Sequence, residues 1–216
     1  GRPARIVAKM NQFEDPKMMQ LIIKASQAGV QCDLIIRGFC CLKAGVPGYT
    51  DNVRITSIIG DFLEHSRVYH FANGKKNPIR GDWCIGSADW MKRNLGQRVE
   101  VIAPITDLQA KKRLHRIVEV NLADRNDAWS MDAHGGWHQP TPSAAAVEDS
   151  IEVMGTFATL RRDAMRAEIE AMTEHPAASR VLRELPQPQT QDVETPRLGG
   201  VERLAGLALL DAPWRT

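Results

Sequence analysis

No stretch of this 216-residue sequence approaches the ~20 consecutive apolar residues that a membrane-crossing helix needs. The N-terminus also lacks the basic-then-apolar pattern of a secretory leader. Cysteine is scarce: Cys32, Cys40, Cys41 and Cys84 are the only four, none in a CxxC pair, so nothing argues for a zinc site or a disulfide framework. They read as small core residues of a protein kept in a reducing cytoplasm. Neither GxxxxGK[ST] nor GxGxxG occurs, which leaves a P-loop ATPase and a Rossmann dehydrogenase unsupported. Aromatic residues make up only 6%, without the interleaving of a single-stranded nucleic-acid platform. There is no initiator Met either: Gly1-Arg2-Pro3-Ala4-Arg5 runs straight into an apolar stretch. The sequence therefore reads as a piece of something longer.

What is present is the composition of a soluble globular protein, 43% apolar and 25% charged, and this excludes disorder throughout. The net charge of +2 is unevenly spread. Residues 1–140 hold 20 Lys/Arg against 14 Asp/Glu, a balance of +6, and residues 141–216 hold 8 against 12, a balance of −4. The first part suits a polyanion, or simply carries a solvated basic surface; the second does not attract one.

Arg5–Met10 is strand-like, Asp15-Pro16 is an N-cap with proline at the first helical position, and Met18, Met19, Leu21, Ile22 and Ala25 carry helical spacing to a stop at Gly29. With the apolar run Cys32–Ile36, residues 5–36 predict a β-α-β unit with parallel strands. Further strands are expected at Val53–Ile59, Arg67–Phe71, Asp82–Ile85 and Arg98–Ala103, with a turn at Asn73-Gly74. A helix follows from Asp107 to about Leu122, its apolar face made by Leu108, Leu114, Ile117, Val118 and Leu122. Residues 148–174 predict an amphipathic helix through Ile151, Met154, Leu160, Met165 and Ile169. Leu185–Pro196 reads as a Pro-broken linker, and Val201–Leu210 as a short closing helix. This tail carries no chemistry and reads as a docking or oligomerising appendage.

Three places carry candidate chemistry. Arg37 stands where a buried parallel strand ends in a Gly-containing loop, the end of an α/β sheet at which ligands bind. A guanidinium there suits phosphate oxygens, or caps the sheet by pairing with a local carboxylate. His65, between Glu64 and Ser66 and two residues before Arg67, has the chemistry for phosphoryl transfer as nucleophile or general acid, with arginine neutralising developing charge; alternatively it is structural. Ser87, in Gly86-Ser87-Ala88-Asp89-Trp90-Met91, offers a hydroxyl and amides to a phosphate, or marks a tight turn into a helix capped by Ser87 or Asp89. His134 and His138 lack a third ligand, so no residue is assigned to a metal.

Three segments closely resemble the C-terminal catalytic domain of the long-chain-synthesising bacterial polyphosphate kinases. They are Leu34-Ile-Ile-Arg-Gly-Phe-Cys-Cys-Leu42 with Gly45-Val-Pro-Gly48; Asp51–Gly60 with Phe62-Leu-Glu-His-Ser-Arg67; and Gly86-Ser-Ala-Asp-Trp-Met91 with Arg93-Asn-Leu95. Arg98-Val-Glu100 and Leu122-Ala-Asp124 also match, so the resemblance covers about residues 5–132 in unbroken order. It implies an α/β fold, a phospholipase D-like mixed sheet flanked by helices over residues 1–140. A helical extension over 141–216, with a Pro-rich linker at about 185–196, follows. It also implies reversible transfer of the terminal phosphate of ATP to polyphosphate, with Mg²⁺, through a phosphohistidine. Arg37 and His65 would contact the ATP phosphates, His65 also assisting transfer; Arg67, Arg54 and Ser87 are weaker phosphate candidates.

The family's phosphorylated histidine lies in a preceding domain, so this chain is expected to hold half of an active site and to be inactive alone. ATP/ADP, polyphosphate and the upstream catalytic domain are the expected partners. The full-length protein is expected to be a homo-oligomer and cytoplasmic, with membrane association left open, and no nucleic acid is expected. Two departures stand out. Asp61 occupies a place expected to be basic, where it either weakens a phosphate-facing surface or points outward. Against HxKxxxxD, His65 and Arg67 fit but Ala72 replaces the aspartate, which disfavours phosphodiester hydrolysis. The alternative reading is a non-catalytic module that binds a polyanion, polyphosphate or nucleotide, having lost its catalytic partner.

Overall fold

In a computed structural model, residues 2–174 are described; the predicted linker at 185–196 and the helix at Val201–Leu210 lie outside them. The chain divides into two units, Gly1–Glu170 and Ala171–Thr216.

The β-α-β unit forms as the sequence predicts. Strand β1 (Arg5–Met10) and strand β2 (Gln31–Ile36) run parallel, joined by helix α1 (Pro16–Gln27). The Asp15 carboxylate accepts the Met18 amide at 2.8 Å and so satisfies one of the free N–H groups of the first turn. Gly29, at φ 81°, supplies the left-handed residue that ends the helix and turns the chain into β2. Strand β3 (Val53–Ile58) extends the parallel set beyond β2. The remaining strands are antiparallel to their neighbours: β4 (Val68–Phe71) on β1, then β5 (Asp82–Gly86) and β6 (Ile102–Ile105) outward. On the other flank β7 (Ala128–Met131) pairs with β3, and β8 (Trp137–His138) with β7. The result is one mixed eight-stranded sheet in the order β6-β5-β4-β1-β2-β3-β7-β8, with helices packed on it. This is the expected α/β class.

Alternation along the strands divides the core. Ala8, Met10, Leu34, Ile36, Val53 and Ile55 pack with Ile22 of α1, together with Phe13 and Trp90. Val7, Ile35, Ile58, Val68 and Trp83 face Val118 of helix α3 (Leu108–Ala123). The α3 start is capped as predicted, Asp107 accepting the Ala110 amide at 2.7 Å, but Leu108 is exposed rather than on the buried face.

Other expectations need correction. The edge strand is Ile102–Ile105 rather than Arg98–Ala103, because the Arg98 amide bonds back to Arg93 at the end of helix α2 (Lys92–Gly96). Of the cysteines, only Cys32 is fully buried and Cys41 is exposed; all four are free thiols. The last described helix, α4 (Ile151–Glu174), is interrupted at Gly155, whose φ of 75° and ψ of 177° are not helical. A Cβ there would lie 2.4 Å from a carboxylate oxygen of Asp127, so glycine is required by both backbone and space. Met165 and Ile169, expected on an apolar face, are exposed.

Candidate functional site

β1, β2 and β3 end together, and their carboxyl ends are the edge of the sheet at which loops can build a site. Because β4 is antiparallel to β1, with Lys9 opposite Val68, the segment entering β4 crosses that same edge. That segment is Glu64-His65-Ser66-Arg67. Topology alone therefore carries His65 to the strand end occupied by Arg37.

Three basic side chains hold the segment by its backbone. Arg37 Nη1 donates to the Glu64 carbonyl at 3.0 Å. Arg67 Nη1 donates to the His65 carbonyl at 2.9 Å. Lys9 Nζ donates to a Glu64 carboxylate oxygen at 2.8 Å and lies 3.5 Å from the Ser66 carbonyl. The Ser66 hydroxyl closes the arrangement by donating to the Glu64 carboxylate at 3.2 Å. Three successive carbonyls thus face cations, and the His65 side chain is left exposed. Arg37 is half-buried, engages a carbonyl rather than the carboxylate considered from sequence, and gives only Nη1 to the described protein. Among the described residues its other N–H groups have no hydrogen-bond partner.

Arg67 is oriented in turn by Asp89, at 3.1 Å from Nε and 3.4 Å from Nη2. Asp89 also accepts the backbone and side-chain N–H of Asn11, at 2.8 and 3.2 Å. This explains why Asp89 does not cap α2. A guanidinium and two amides already occupy it, and the N-cap of α2 is Met91, with no side-chain cap. Ser87 stands nearby, but its hydroxyl donates to Glu100 and accepts the Val101 amide at 3.0 Å, tying the end of β5 to the strand that follows. Asn94 donates to the same Glu100 carboxylate. The hydrogen bonds from Ser87 and then Asn94 hold the Glu100 carboxyl below its ordinary range.

Arg54 does not join this group. It lies at the amino end of β3, where its Nε sits 2.6 Å from the buried Asp33 carboxylate, which also binds Arg5 at 2.7 Å. Asp61 is exposed, and its charge acts on Asp127, whose carboxyl is raised by burial first, then by Asp124 and, least, by Asp61. Gly60, beside it, packs on Phe157 of α4.

Lys9 and Asn11 had a sequence signal that motif reading passed over: both are polar residues inside or just after an otherwise apolar buried strand. Such residues need partners. Glu100 had no comparable signal, since its partners come from two separate segments. Among the described residues no group of three or more His, Cys, Asp or Glu is placed to hold a metal, and no helix is long and apolar enough to cross a membrane.

A family model described as polyphosphate kinase C-terminal domain 2 matches residues 1–150. A polyphosphate kinase from Thermosynechococcus vestitus is 48% identical over 150 residues, which cover 68% of this chain and 20% of that protein. The crystal structure of polyphosphate kinase from Porphyromonas gingivalis superposes with a TM-score of 0.68 at 31% identity, over 77% of this chain and 24% of that one. Nuc from Salmonella typhimurium, a phospholipase D family member, superposes over 61% of this chain with a TM-score of 0.44 at 12% identity. The chain spans about a fifth of the length of the curated relative it matches. The matched stretch includes the whole loop cluster around Arg37 and His65, and on that match the chain belongs to the polyphosphate kinase family, as its C-terminal domain 2.

Proposed function

We propose that this chain is the nucleotide-phosphate half of a polyphosphate kinase active site. In this reading Arg37 and His65 bind the terminal phosphates of ATP. His65 lends a ring N–H to the oxygen that gains charge as the phosphoryl group leaves ADP. The acceptor is a histidine nitrogen of the preceding domain, and polyphosphate then takes the group from that nitrogen, with ADP and a lengthened chain as products. Arg37 neutralises charge on the phosphate oxygens. Phosphoryl transfer depends on positioned cations more than on covalent chemistry by the protein, and the present arrangement is of that kind. The observation that carries the reading is the exposed His65 ring on a segment whose three carbonyls are held by Arg37, Arg67 and Lys9.

Mg²⁺ would come with the nucleotide, neutralising its phosphates. The carboxylates next to the site are engaged, Glu64 by Lys9 and Asp89 by Arg67 and Asn11, so no step is assigned to a protein-held ion. A location in the cytoplasm and a homo-oligomeric full-length enzyme fit the same reading.

The test is equilibrium titration of the chain with ATP–Mg²⁺ and with polyphosphate, with duplex DNA in parallel at physiological salt. Saturable binding of ATP or polyphosphate that is lost in His65→Ala supports the reading. Binding to all polyanions alike, indifferent to that substitution, leaves a module that holds polyanions without handling phosphate, and overturns it.

A further inference from the structure

Lys9 is the anomaly in β1. It lies between Ala8 and Met10 in a strand buried on both faces, and is only 3% exposed. Its partner Glu64 keeps 24% of its side chain exposed, and an ion pair with one buried charge is a poor way to stabilise a sheet. Each charge gives up hydration, and an apolar pair of similar volume is often at least as stable. Leucine or valine would suit that place in a parallel strand better. The pair must therefore be explained by what it orients.

Its geometry gives the answer. Lys9 and Arg37 project from the same sheet face, since Lys9 is opposite Ile35 and Arg37 follows Ile35 by two residues. The Lys9 ammonium reaches the Glu64 carboxylate at 2.8 Å, and Glu64 accepts the Ser66 hydroxyl on the far side of His65. The two residues flanking His65 are thus drawn to one buried cation, while Arg37 fixes the Glu64 carbonyl. A histidine anchored on both sides keeps its ring presented outward.

We infer that Lys9 and Glu64 form a positioning pair that sets the His65 ring for phosphate, an inference that rests on the function proposed above. Neither residue touches the ligand; both act through the His65 backbone. Neutralising Glu64 removes the charge that pairs with Lys9 and leaves the segment held by Arg37 and Arg67 through its carbonyls. Replacing both by uncharged residues loosens the segment in the same way without leaving a buried charge alone.

The experiment uses this chain with Glu64→Gln and, separately, the double variant Lys9→Met with Glu64→Gln, which keeps the test open if the single variant folds poorly. Three quantities are read: the His65 Cε1–H resonance with and without tripolyphosphate, the tripolyphosphate affinity, and hydrogen exchange at the amides of residues 64–66. Both variants are expected to bind about tenfold more weakly, the scale of one charge-assisted hydrogen bond. The His65 response should be smaller, and exchange at 64–66 faster. A loss of thermal stability alone, with the His65 response and affinity unchanged, makes the pair merely structural and overturns the inference. If the parent chain responds neither to ATP–Mg²⁺ nor to tripolyphosphate, the proposed function fails. In that case unchanged exchange at 64–66 also overturns the positioning pair, while faster exchange supports it as an anchor of the His65 segment.

Discussion

Asp89 grips Arg67 at two points, 3.1 Å from Nε and 3.4 Å from Nη2, with the two side chains only 7% and 14% exposed. The same guanidinium holds the His65 carbonyl, so an ion pair on one side of the segment fixes the candidate catalytic residue on the other. Arg67→Ala leaves a nearly buried carboxylate with only the Asn11 amides, and should destabilise the fold by about 3 kcal/mol, the lower end for breaking a buried pair. Urea unfolding measures it; a loss below about 0.5 kcal/mol, the range of ordinary surface changes, contradicts the account.

Arg37→Ala removes a guanidinium from the strand end and the bond to the Glu64 carbonyl. Affinity for ATP–Mg²⁺ should fall by ~1–3 kcal/mol, the scale of a charge-assisted hydrogen-bond pair, with little change in thermal midpoint. Titration calorimetry reads the first and a thermal melt the second. Unchanged affinity removes Arg37 from the site.

His70 is buried against Trp83, ring centroids 4.3 Å apart, with Nε2 3.0 Å from the Pro78 carbonyl. Burial lowers its pKa from the ordinary 6.5 to about 4, the Pro78 hydrogen bond opposing that shift. The folded state therefore keeps this ring neutral while the unfolded chain takes up a proton. The His70 contribution is intact above about pH 6.5 and lost as pH falls from there towards 4, by up to about 3 kcal/mol. His70→Gln should flatten the slope of stability between pH 6.5 and 4.5 relative to the parent. Equal slopes in chemical denaturation at several pH values contradict the assignment.

The Asp61 carboxylate adds weakly to the repulsion that Asp124 already exerts on Asp127. Asp61→Asn should therefore raise stability slightly near neutral pH, by a few tenths of a kcal/mol for an exposed charge, and leave ATP affinity unchanged. A clear gain in affinity would mean that the Asp61 charge reaches the site.

The parallel core and the strand-end location of Arg37 are legible in the sequence because both follow from local pattern, whereas His65 reaches that edge through the antiparallel pairing of β4 with β1. The Asp15-Pro16 cap, the apolar run Cys32–Ile36 and the glycine after Arg37 each act over a few residues. What was not legible depends on contacts across the sheet. Arg54, a weaker phosphate candidate from the resemblance, stands at the amino end of β3, where Asp33 in the neighbouring strand takes it. Asp89 looked like a cap until Arg67 and Asn11, far away in sequence, claimed it. The Arg98 region has strand propensity, yet a turn bond to Arg93 delays the strand to Ile102. The sequence marks Lys9 only as a polar residue in an otherwise apolar strand, and its partner Glu64 comes from a distant segment that only the packed sheet brings to it.

The most direct measurement is the His65 ring resonance of the purified chain during titration with ATP–Mg²⁺, compared with Arg37→Ala. The account predicts a saturable shift in the parent chain, weakened in the variant. A His65 signal that does not move at ATP concentrations that bind the protein contradicts it, and places the nucleotide away from the Arg37–His65 edge.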